Sequence, residues 1–439
     1  METKEKIAQD FQLDIESLSF GGMGIGHLNG LVVFMPHTAP GEKVMARVVT
    51  RESDYLVGAL QKIIHPSPMR IEPKCPYFGE CGGCQWQHLD YDEQLRQKEW
   101  LVKEAFTRIG HLDTGPIHPC LPSPSPFHYR HRMQFNINHK NKTPHIGLYR
   151  RKTHSLVDIM ECPIAHPLIN KVLKNGWDWL GKTDDKHLHG MDITIDIKGE
   201  KVILVLRYIK GSIEEKKKDF AILQDMCPEI TGALIRIETY RKASYDTAGD
   251  PTLDLVYDDA QYKIGPETFI QVNLNGNEML IRKVLDAIPE KTERILELHC
   301  GMGNFSIPIS RSCQALFGIE SNPEPYRYAL INAHNNQSPN CHFIKKSDIR
   351  GLKQMINSGL NFSVLVMDPP RSGCKDILSL IANLKIPKII YVSCNPSTLA
   401  RDLSILVKDQ NYHIEYVQPI DMFPQTYHVE CVTVLSRIF

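Results

Sequence analysis

One cysteine stands where a strand-like run ends and a helix begins, in the segment IYVSCNPSTLARD at 390–402. Pro396 suits the first turn of a helix, where a missing N–H is tolerated, so we expect Cys394 at the carboxyl edge of a strand. Ligands bind at that edge in open α/β sheets, and the positive end of a helix dipole favours a thiolate. Cys394 is therefore a candidate nucleophile, and the alternative is a buried cysteine that packs as a small hydrophobe.

Three further features follow strand-like runs in the same half of the chain. RILELHCGMGN at 294–304 leads from an apolar strand into a Gly-x-Gly turn, and glycines let the backbone turn sharply and approach a ligand. The next strand, ALFGIE, ends in Glu320, where an acid typically binds ribose hydroxyls. SVLVMDPPRSG places Asp368 at the end of a third strand, because proline cannot continue a central strand.

Two cofactors fit the glycine turn and Glu320, a nicotinamide dinucleotide and S-adenosylmethionine. The dinucleotide fingerprint requires a third Gly or Ala where this chain has Ser306. A dehydrogenase has no need of Asp-Pro-Pro or of a thiol at neighbouring strand ends, whereas a methyltransferase does. Each feature alone is compatible with a turn or a helix cap, but four of them at one sheet edge favour S-adenosylmethionine.

The elements that must position these residues form three predicted domains. Short strands with glycine-rich turns over 1–64 predict a small β-barrel. A cysteine-rich knot, a helical pattern closed by Gly110, a proline-rich connector and several strand-like runs predict a central α+β domain over 65–245. Strands then alternate with helices over 246–439, which predicts a parallel doubly wound sheet of α/β class.

Composition is that of a globular protein, with 439 residues, 42% hydrophobic and 23% charged. No apolar run approaches the roughly 18 residues that span a bilayer, and METKEKIAQDF has no apolar signal region. We therefore expect a cytoplasmic protein without a membrane partner, whose twelve cysteines are metal ligands, catalytic groups or buried residues rather than disulfides. Lys plus Arg and Asp plus Glu number 51 each, so any basic surface must be local.

Four cysteines form a second candidate site. CPYFGECGGCQW gives the spacing Cys75-x5-Cys81-x2-Cys84, and Cys162 follows in MECPI. A structural zinc site of four cysteines more often comes as two Cys-x2-Cys pairs. Three clustered thiolates and a distant fourth also suit a four-iron cluster. The residues alone leave zinc and an iron–sulfur cluster open.

The segments DPPR, VSCNPSTLARD, HVECV near the C-terminus and QVN at 271–273 resemble the RNA uracil carbon-5 methyltransferase family. The resemblance extends over nearly the whole chain and is greatest to the branch with an N-terminal, OB-like TRAM barrel and an iron–sulfur cluster, which methylates 23S rRNA. It implies a Rossmann-like S-adenosylmethionine-dependent methyltransferase domain and a [4Fe-4S] cluster on the four cysteines. It also implies RNA as partner, with 23S rRNA expected, tRNA as the alternative, and no obligate protein partner.

The same resemblance implies roles for single residues. Its contacts to S-adenosylmethionine fall on Gln271, His299, Asn304, Glu320, Asp348 and Asp368. His299 departs from the family, where Phe or Tyr usually precedes Cys-Gly, although an imidazole can still stack. The family's general base falls on Glu430, in YHVECV, and its RNA-binding arginine on Arg132, in YRHRMQF.

The chemistry of uracil accounts for these residue types independently. Carbon 5 is a poor nucleophile until a thiolate adds at carbon 6, after which the enolate can attack a sulfonium methyl. A base must then remove the carbon-5 proton so that the thiol can leave. Cys394 suits the first role. Glu430 suits the second because HVECVTVLS is typical of a buried strand, and burial of an acid is unfavourable unless a function requires it. Asp368 can accept a hydrogen bond from the uracil N–H and hold a base turned out of its stack.

Basic residues are concentrated in 114–157, which has no Asp or Glu but seven Lys or Arg and six His. Tyr129, Phe135 and Tyr149 are interleaved with them, and this pattern predicts an RNA-binding face. A solvated basic surface is the alternative.

Three other functions compete with this interpretation. An iron–sulfur methylthiotransferase would require Cys-x3-Cys-x2-Cys and a C-terminal barrel, neither of which is present. An amino-group methyltransferase could use Asp-Pro-Pro but has no need of Cys394. A non-catalytic rRNA-binding factor would keep the basic face without a reason to keep the thiol, Glu430 and the cofactor loop together.

Overall fold

The computed structural model describes residues 10–140, 143–183, 185–239, 243–257 and 259–438. The first sheet has six strands in the order β1-β5-β6-β4-β3-β2 around a small apolar core that includes Leu13, Val33 and Val44. Its strands are β1 (Asp10–Asp14), β2 (Ser17–Leu18), β3 (Gly24–Leu28), β4 (Leu31–Met35), β5 (Lys43–Arg51) and β6 (Tyr55–His65). Within these described ranges, no helix is long and apolar enough to cross a membrane.

The cysteine knot and helix α1 (Tyr91–Ala105) follow this sheet. Asp90 caps α1 by accepting a hydrogen bond from the Glu93 N–H at 2.8 Å, which satisfies one of the free donors of the first turn. The helix continues as a π-helical turn, Phe106–Gly110, and ends at a left-handed residue, His111. The predicted end at Gly110 is confirmed.

The central sheet has seven strands in the order β13-β12-β11-β10-β7-β8-β9, of which only β11 and β12 are parallel. Helices α2 (Pro167–Thr183) and α3 (Ile213–Met226) pack against it, so this part has the predicted α+β character. Its strands are β7 (Arg132–Lys140), β8 (Thr143–Tyr149), β9 (Leu156–Asp158), β10 (Leu188–Ile195), β11 (Val202–Tyr208), β12 (Ile230–Glu238) and β13 (Ala243–Gly249).

A short hairpin, β14 (Leu253–Tyr257) and β15 (Ala260–Ile264), leads into a second seven-stranded sheet with the order β18-β17-β16-β19-β20-β22-β21. The strands are β16 (Thr292–Leu298), β17 (Cys313–Glu320), β18 (Cys341–Lys345), β19 (Val364–Met367), β20 (Lys388–Ser393), β21 (Tyr412–Ile420) and β22 (Glu430–Arg437). The helices are α4 (Leu274–Asp286), α5 (Ser306–Ser310), α6 (Pro323–Asn335), α7 (Asp348–Ser358), α8 (Leu378–Asn383) and α9 (Pro396–Asp409).

The parallel sheet predicted for this part is correct for β16 to β20, whereas β22 runs antiparallel to both of its neighbours, β20 and β21. The physical reason is the loop 421–429, which is shorter than the dozen residues that a parallel crossover needs. Since β22 opposes β20, its first residue, Glu430, lies at the same edge as the carboxyl ends of the parallel strands. That edge also receives the ends of β16, β17, β19 and β20, which carry the predicted site.

Candidate active site

Cys394 lies between the last residue of β20, Ser393, and the N-terminus of α9. Asn395 caps that helix by accepting a hydrogen bond from the Ser397 N–H at 3.1 Å, and Pro396 occupies the first turn. The predicted strand end and helix start are therefore confirmed. The thiol is half-buried, so it is accessible from the sheet edge.

Two acids predicted to act with Cys394 lie beside it. Ser393 pairs with Cys431 across β20 and β22, which brings the preceding residue of β22, Glu430, level with Cys394. Glu430 is only 2% exposed, and Asp368 is half-buried at the end of β19. The charges of both carboxyls act on the Cys394 thiol. The structure thus brings the three predicted catalytic residues into one site.

Burial dominates the protonation of the two acids. It raises the pKa of Asp368 to about 7. It also raises the pKa of Glu430 well above its ordinary value, and the charge of Asp368 adds to that rise while Arg371 opposes it. The uncharged form of Glu430 is therefore favoured in the free protein, and a cation or a substrate that changes its surroundings would favour the carboxylate that a base requires.

The Cys394 thiol is also protonated in the free protein. Burial, followed by the charges of Glu430 and Asp368, raises its pKa to about 11, while Arg371 lowers it. The helix end alone therefore does not make Cys394 a thiolate in the free protein, because desolvation and the two carboxyls raise the pKa of the thiol. A cationic ligand in the site would favour the thiolate.

Arg371 is a site residue that the sequence interpretation did not assign. Its main-chain carbonyl accepts hydrogen bonds from Asn395 Nδ2 and Thr398 Oγ1, each at 3.1 Å, so α9 holds the loop that follows Asp368. Its exposed side chain acts electrostatically on both Cys394 and Glu430. In the sequence, the position of this arginine directly after Asp-Pro-Pro could have indicated a role in the site.

Arg401 and Asp402 of α9 hold that same loop. Asp402 accepts hydrogen bonds from the Cys374 N–H and the Tyr391 hydroxyl, each at 2.8 Å. Arg401 donates to the Ser372 carbonyl at 2.9 Å. These contacts attach the loop to α9.

Arg371→Met is expected to raise the pKa of the Cys394 thiol further, because it removes the cation that lowers it. Only the thiolate is alkylated, so at pH 9 the variant should react with iodoacetamide about three- to tenfold more slowly than wild type. Mass spectrometry of the Cys394 peptide across a pH series measures this rate. Arg350→Met, on the exposed face of α7, is the control, and identical profiles for Arg371→Met and wild type would contradict the assignment.

The glycine turn after β16 leaves its backbone open to a ligand. His299, Gly301 and Gly303 all have positive φ (58°, 56° and 91°), and a Cβ on Gly301 would meet nothing within 4 Å. The Gly301 N–H donates to Glu320 Oε2 at 3.1 Å, and Glu320 Oε1 accepts from the Asn322 N–H at 2.7 Å. This orients the Glu320 carboxylate at the end of β17, beside the turn.

The other predicted cofactor contacts surround this turn. His299 Nε2 lies 3.4 Å from Asp348 Oδ2, at the start of α7. Burial raises the pKa of Asp348, and the charge of His299 opposes that rise. Asn304 exchanges two hydrogen bonds with Asn277, at 2.8 and 3.0 Å, and Gln271 is half-buried just before α4. His299 and Asp348 thus form a pair that the sequence interpretation did not anticipate.

Two further residues were missed, Glu297 in β16 and Phe269, which lines the cavity of the four knot cysteines. Glu297 is 1% exposed, accepts a hydrogen bond from Ser306 Oγ at 2.5 Å, and has its pKa raised to about 8 by burial. An acid inside the apolar run RILEL was the available signal. Phe269 is 69% exposed, two residues before Gln271, and an exposed aromatic ring suits stacking with a base.

The four knot cysteines line one cavity of about 560 Å³. Burial together with the neighbouring thiols raises the pKa of Cys84 to about 12 and that of Cys162 to about 11. The Gly83 N–H donates to Cys81 Sγ at 3.4 Å. Four clustered thiolates repel one another, so they need a metal group or a cation to be stable together.

Arg130 supplies a cation beside this cavity. Its charge acts on Cys81 and Cys84, and its Nε is buried without a hydrogen-bond partner. An unpaired buried donor beside thiols suits an anionic group with acceptor sulfurs. Across the described ranges, no three His, Cys, Asp or Glu side chains form a ready site for a single metal ion.

The prediction that Tyr129 and Phe135 belong to an RNA-binding face is wrong. Tyr129 and Phe135 are 2% and 0% exposed and belong to the central core, because their side chains point to the inner face of the sheet. Arg132 is half-buried and donates to the Thr268 and Pro266 carbonyls, at 2.8 and 3.1 Å. Tyr149 remains 40% exposed, while Lys142 lies outside the described residues.

The family profile described as tRNA (Uracil-5-)-methyltransferase matches residues 90–438, and the TRAM domain profile matches residues 4–60. An RNA methyltransferase of Aquifex aeolicus is 34% identical over 97% of this chain and 98% of its own length. One of Bacillus cereus is 32% identical over 99% and 98%. The solved tRNA (uracil-54, C5)-methyltransferase of Pyrococcus abyssi, in complex with S-adenosyl-L-homocysteine, has a TM-score of 0.75 at 26% identity and covers 96% of this chain and 99% of that one. The chain therefore belongs to the RNA uracil-5-methyltransferase family, in a form with an N-terminal TRAM domain.

Proposed function

We propose that this protein methylates carbon 5 of a uridine in 23S rRNA, with S-adenosylmethionine as the methyl donor. The observation that carries the proposal is the meeting of Cys394, Asp368 and Glu430 at one sheet edge, on the three strands that follow β16 and its turn at Gly301 in the sheet order. A thiol, a half-buried acid and a buried acid in one site match the needs of uracil methylation. The division into domains at 64/65 and 245/246 is part of the same proposal.

Cys394 activates the base. Its Sγ bonds to carbon 6 of uracil, the electrons of the C5–C6 double bond move onto the carbonyl at carbon 4, and carbon 5 becomes nucleophilic. The thiol proton leaves to solvent, which a cation in the site favours because it lowers the pKa of the thiol. Asp368 accepts a hydrogen bond from the uracil N–H and holds the ring, turned out of its stack, against the thiol.

Glu430 completes the reaction. After carbon 5 has been methylated, the Glu430 carboxylate takes the remaining proton from carbon 5, the C5–C6 double bond forms again, and the bond from carbon 6 to Sγ breaks. Burial raises the pKa of Glu430, so its carboxylate, once a cation or the substrate has favoured that form, accepts a proton readily. Arg371 faces both groups and stabilises the negative charge that passes between them.

Gln271, His299, Asn304, Glu320, Asp348 and Asp368 would hold S-adenosylmethionine, and the open backbone at Gly301 fits this role. When bound, the cofactor supplies a methyl group on a positively charged sulfur. Glu320 is oriented for the ribose hydroxyls by its two backbone donors. Asp348 keeps His299 in place beside the turn.

Cys75, Cys81, Cys84 and Cys162 would hold a [4Fe-4S] cluster. The shared cavity, the repulsion that four thiolates would exert on one another without a metal group, and the unpaired Arg130 Nε support an anionic four-thiolate group. In the proposal the cluster is structural, because the knot is tied to the central sheet by the Gly82 N–H, which donates to the Tyr149 carbonyl at 3.0 Å. Arg132 and Tyr149, on this side of the molecule, would contact RNA.

Anaerobically purified protein is expected to be brown and to contain about four irons per chain. Cys162→Ala should lose the colour and most of the iron, whereas Cys341→Ala, which changes a thiol of the C-terminal sheet, should keep both. Metal analysis and visible absorbance measure the difference. One zinc per chain without visible absorbance would replace the iron–sulfur proposal by a zinc site.

The substrate is tested by incubating the protein with labelled S-adenosylmethionine and either unmodified 23S rRNA or unmodified tRNA. We expect 5-methyluridine in 23S rRNA. The Pyrococcus abyssi neighbour acts on uracil 54 of tRNA, so label in tRNA alone would identify tRNA and not 23S rRNA as the substrate. Binding of RNA without label in either would support a non-catalytic rRNA-binding factor.

A further inference from the structure

The loop that leads into Glu430 is held from outside its own sheet. Residues 421–429 connect β21 to β22, and Glu430 is the first residue of β22. Asp421 accepts a hydrogen bond from the Tyr91 hydroxyl at 2.9 Å and forms an ion pair with Lys98 in which both side chains are fully buried. Lys98 Nζ also donates to the Phe423 carbonyl at 3.0 Å. Two residues of α1 therefore hold the start of the loop.

Gln94, one turn from each of these two residues on α1, makes the most extensive contact. It is 1% exposed, its Oε1 accepts from the Gln425 N–H at 2.8 Å, and its Nε2 donates to Gln425 Oε1 at 3.1 Å. Nε2 also faces the carbonyls of Trp86 and Leu89, at 3.2 and 3.0 Å. One buried amide therefore connects the loop with the segment that follows Cys84.

The knot also contacts the loop directly. The N–H groups of Gln85 and Trp86 both donate to the Gln425 carbonyl at 3.0 Å, and the Tyr129 hydroxyl donates to the Pro424 carbonyl at 3.0 Å. Gln425 has a φ of 68°, a left-handed conformation that persists only when the surrounding contacts hold it. The shape of the loop is thus determined by the knot and α1.

We infer that Gln94 is a positioning residue for Glu430, and this inference rests on the proposed role of Glu430 as the base. A base must lie within hydrogen-bond reach of the proton that it removes, and a misplacement of 1 Å can cost about 10²-fold in rate. Cys394 lies between β20 and α9, and among the described residues no hydrogen bond joins Gln94 to either element. Loss of the Gln94 contact should therefore slow the release of product and leave the addition and methylation steps intact.

Gln94→Leu tests this inference, because leucine has a similar volume and makes no hydrogen bond. The variant is incubated with S-adenosylmethionine and ordinary RNA, samples are denatured over time, and the methylated covalent adduct is measured by gel and mass spectrometry. We expect the adduct to form at nearly the wild-type rate and to decay about 10- to 100-fold more slowly. Tyr129→Phe, which removes one hydrogen bond to the loop, should shift decay in the same direction by less.

Leu101→Ala is the matched control. Leu101 is a buried residue of α1 that packs with Trp86 and Leu89, so its truncation loosens the same region without removing a hydrogen bond to the loop. We expect its adduct to decay at the wild-type rate. Equally slow decay in Leu101→Ala would show a general loss of stability and would overturn the inference.

Glu430→Gln, measured in parallel, separates the inference from the proposed function. If Glu430→Gln accumulates the adduct while Gln94→Leu and Tyr129→Phe release it at the wild-type rate, the inference is overturned and the base remains. If Glu430→Gln itself releases product at the wild-type rate, the proposed base is wrong. If adduct formation and product release are slowed equally in both Gln94→Leu and Tyr129→Phe, the inference is also overturned, because the inference predicts a separate effect on release.

Discussion

Cys394→Ala is expected to abolish methylation of RNA, with a loss of roughly 10⁴-fold or more, because removal of a nucleophile leaves carbon 5 of uracil unactivated. Binding of RNA and of S-adenosylhomocysteine should remain within a few-fold of wild type, since alanine removes only the sulfur atom of a half-buried side chain. Transfer of labelled methyl to RNA measures the rate, and filter binding and calorimetry measure the affinities.

Cys431→Ala is the control for this experiment. Cys431 is fully buried, neighbours Glu430 and pairs with Ser393, so it tests whether any loss of a thiol in this region impairs the enzyme. We expect it to keep methyl transfer. Methylation by Cys394→Ala near the wild-type rate would return Cys394 to the alternative of a cysteine that only packs.

Glu430→Gln is expected to stop the reaction later than Cys394→Ala does, after the methyl group has been transferred. Glutamine keeps the size of the side chain but cannot accept the carbon-5 proton, so RNA should remain bound to Cys394 with the methyl group already attached. Loss of a general base typically costs about 10²–10⁴-fold, and slow release of product is compatible with that range. A denaturing gel and the mass of the digested adduct measure the outcome.

Glu415→Gln, an acid of β21 away from Cys394, is the control for Glu430→Gln and should turn over normally. Wild-type turnover by Glu430→Gln would show that Glu430 is a buried acid that does not act as the base. An adduct without the methyl group would show that Glu430 acts earlier, in placing the cofactor.

The positions at strand ends could be predicted from the sequence because their signals are local. Proline after Asp368, proline after Cys394 and glycine after His299 each force the chain to leave the sheet within two or three residues. The burial of Glu430 also followed from local alternation in HVECVTVLS. Once the strands are parallel, their ends meet at one edge without further information.

What could not be predicted depends on contacts between distant segments. Gln94 and Gln425 lie 331 residues apart, and no local pattern pairs them. Aromatic spacing could not show that Tyr129 and Phe135 face the core. The pKa of Cys394 depends on burial and on acids at the ends of two other strands, so it could not be predicted from the helix N-terminus alone.

The most direct test of the account uses RNA that carries 5-fluorouridine at the target, because fluorine on carbon 5 blocks the removal of a proton and therefore the release of the enzyme. Wild-type protein with S-adenosylmethionine should give a denaturant-stable complex whose digestion yields one peptide, with Cys394 joined to a methylated fluorouridine. Cys394→Ala should give no complex. A complex that survives in Cys394→Ala, or ordinary methylation without any trapped complex in wild type, would contradict the account.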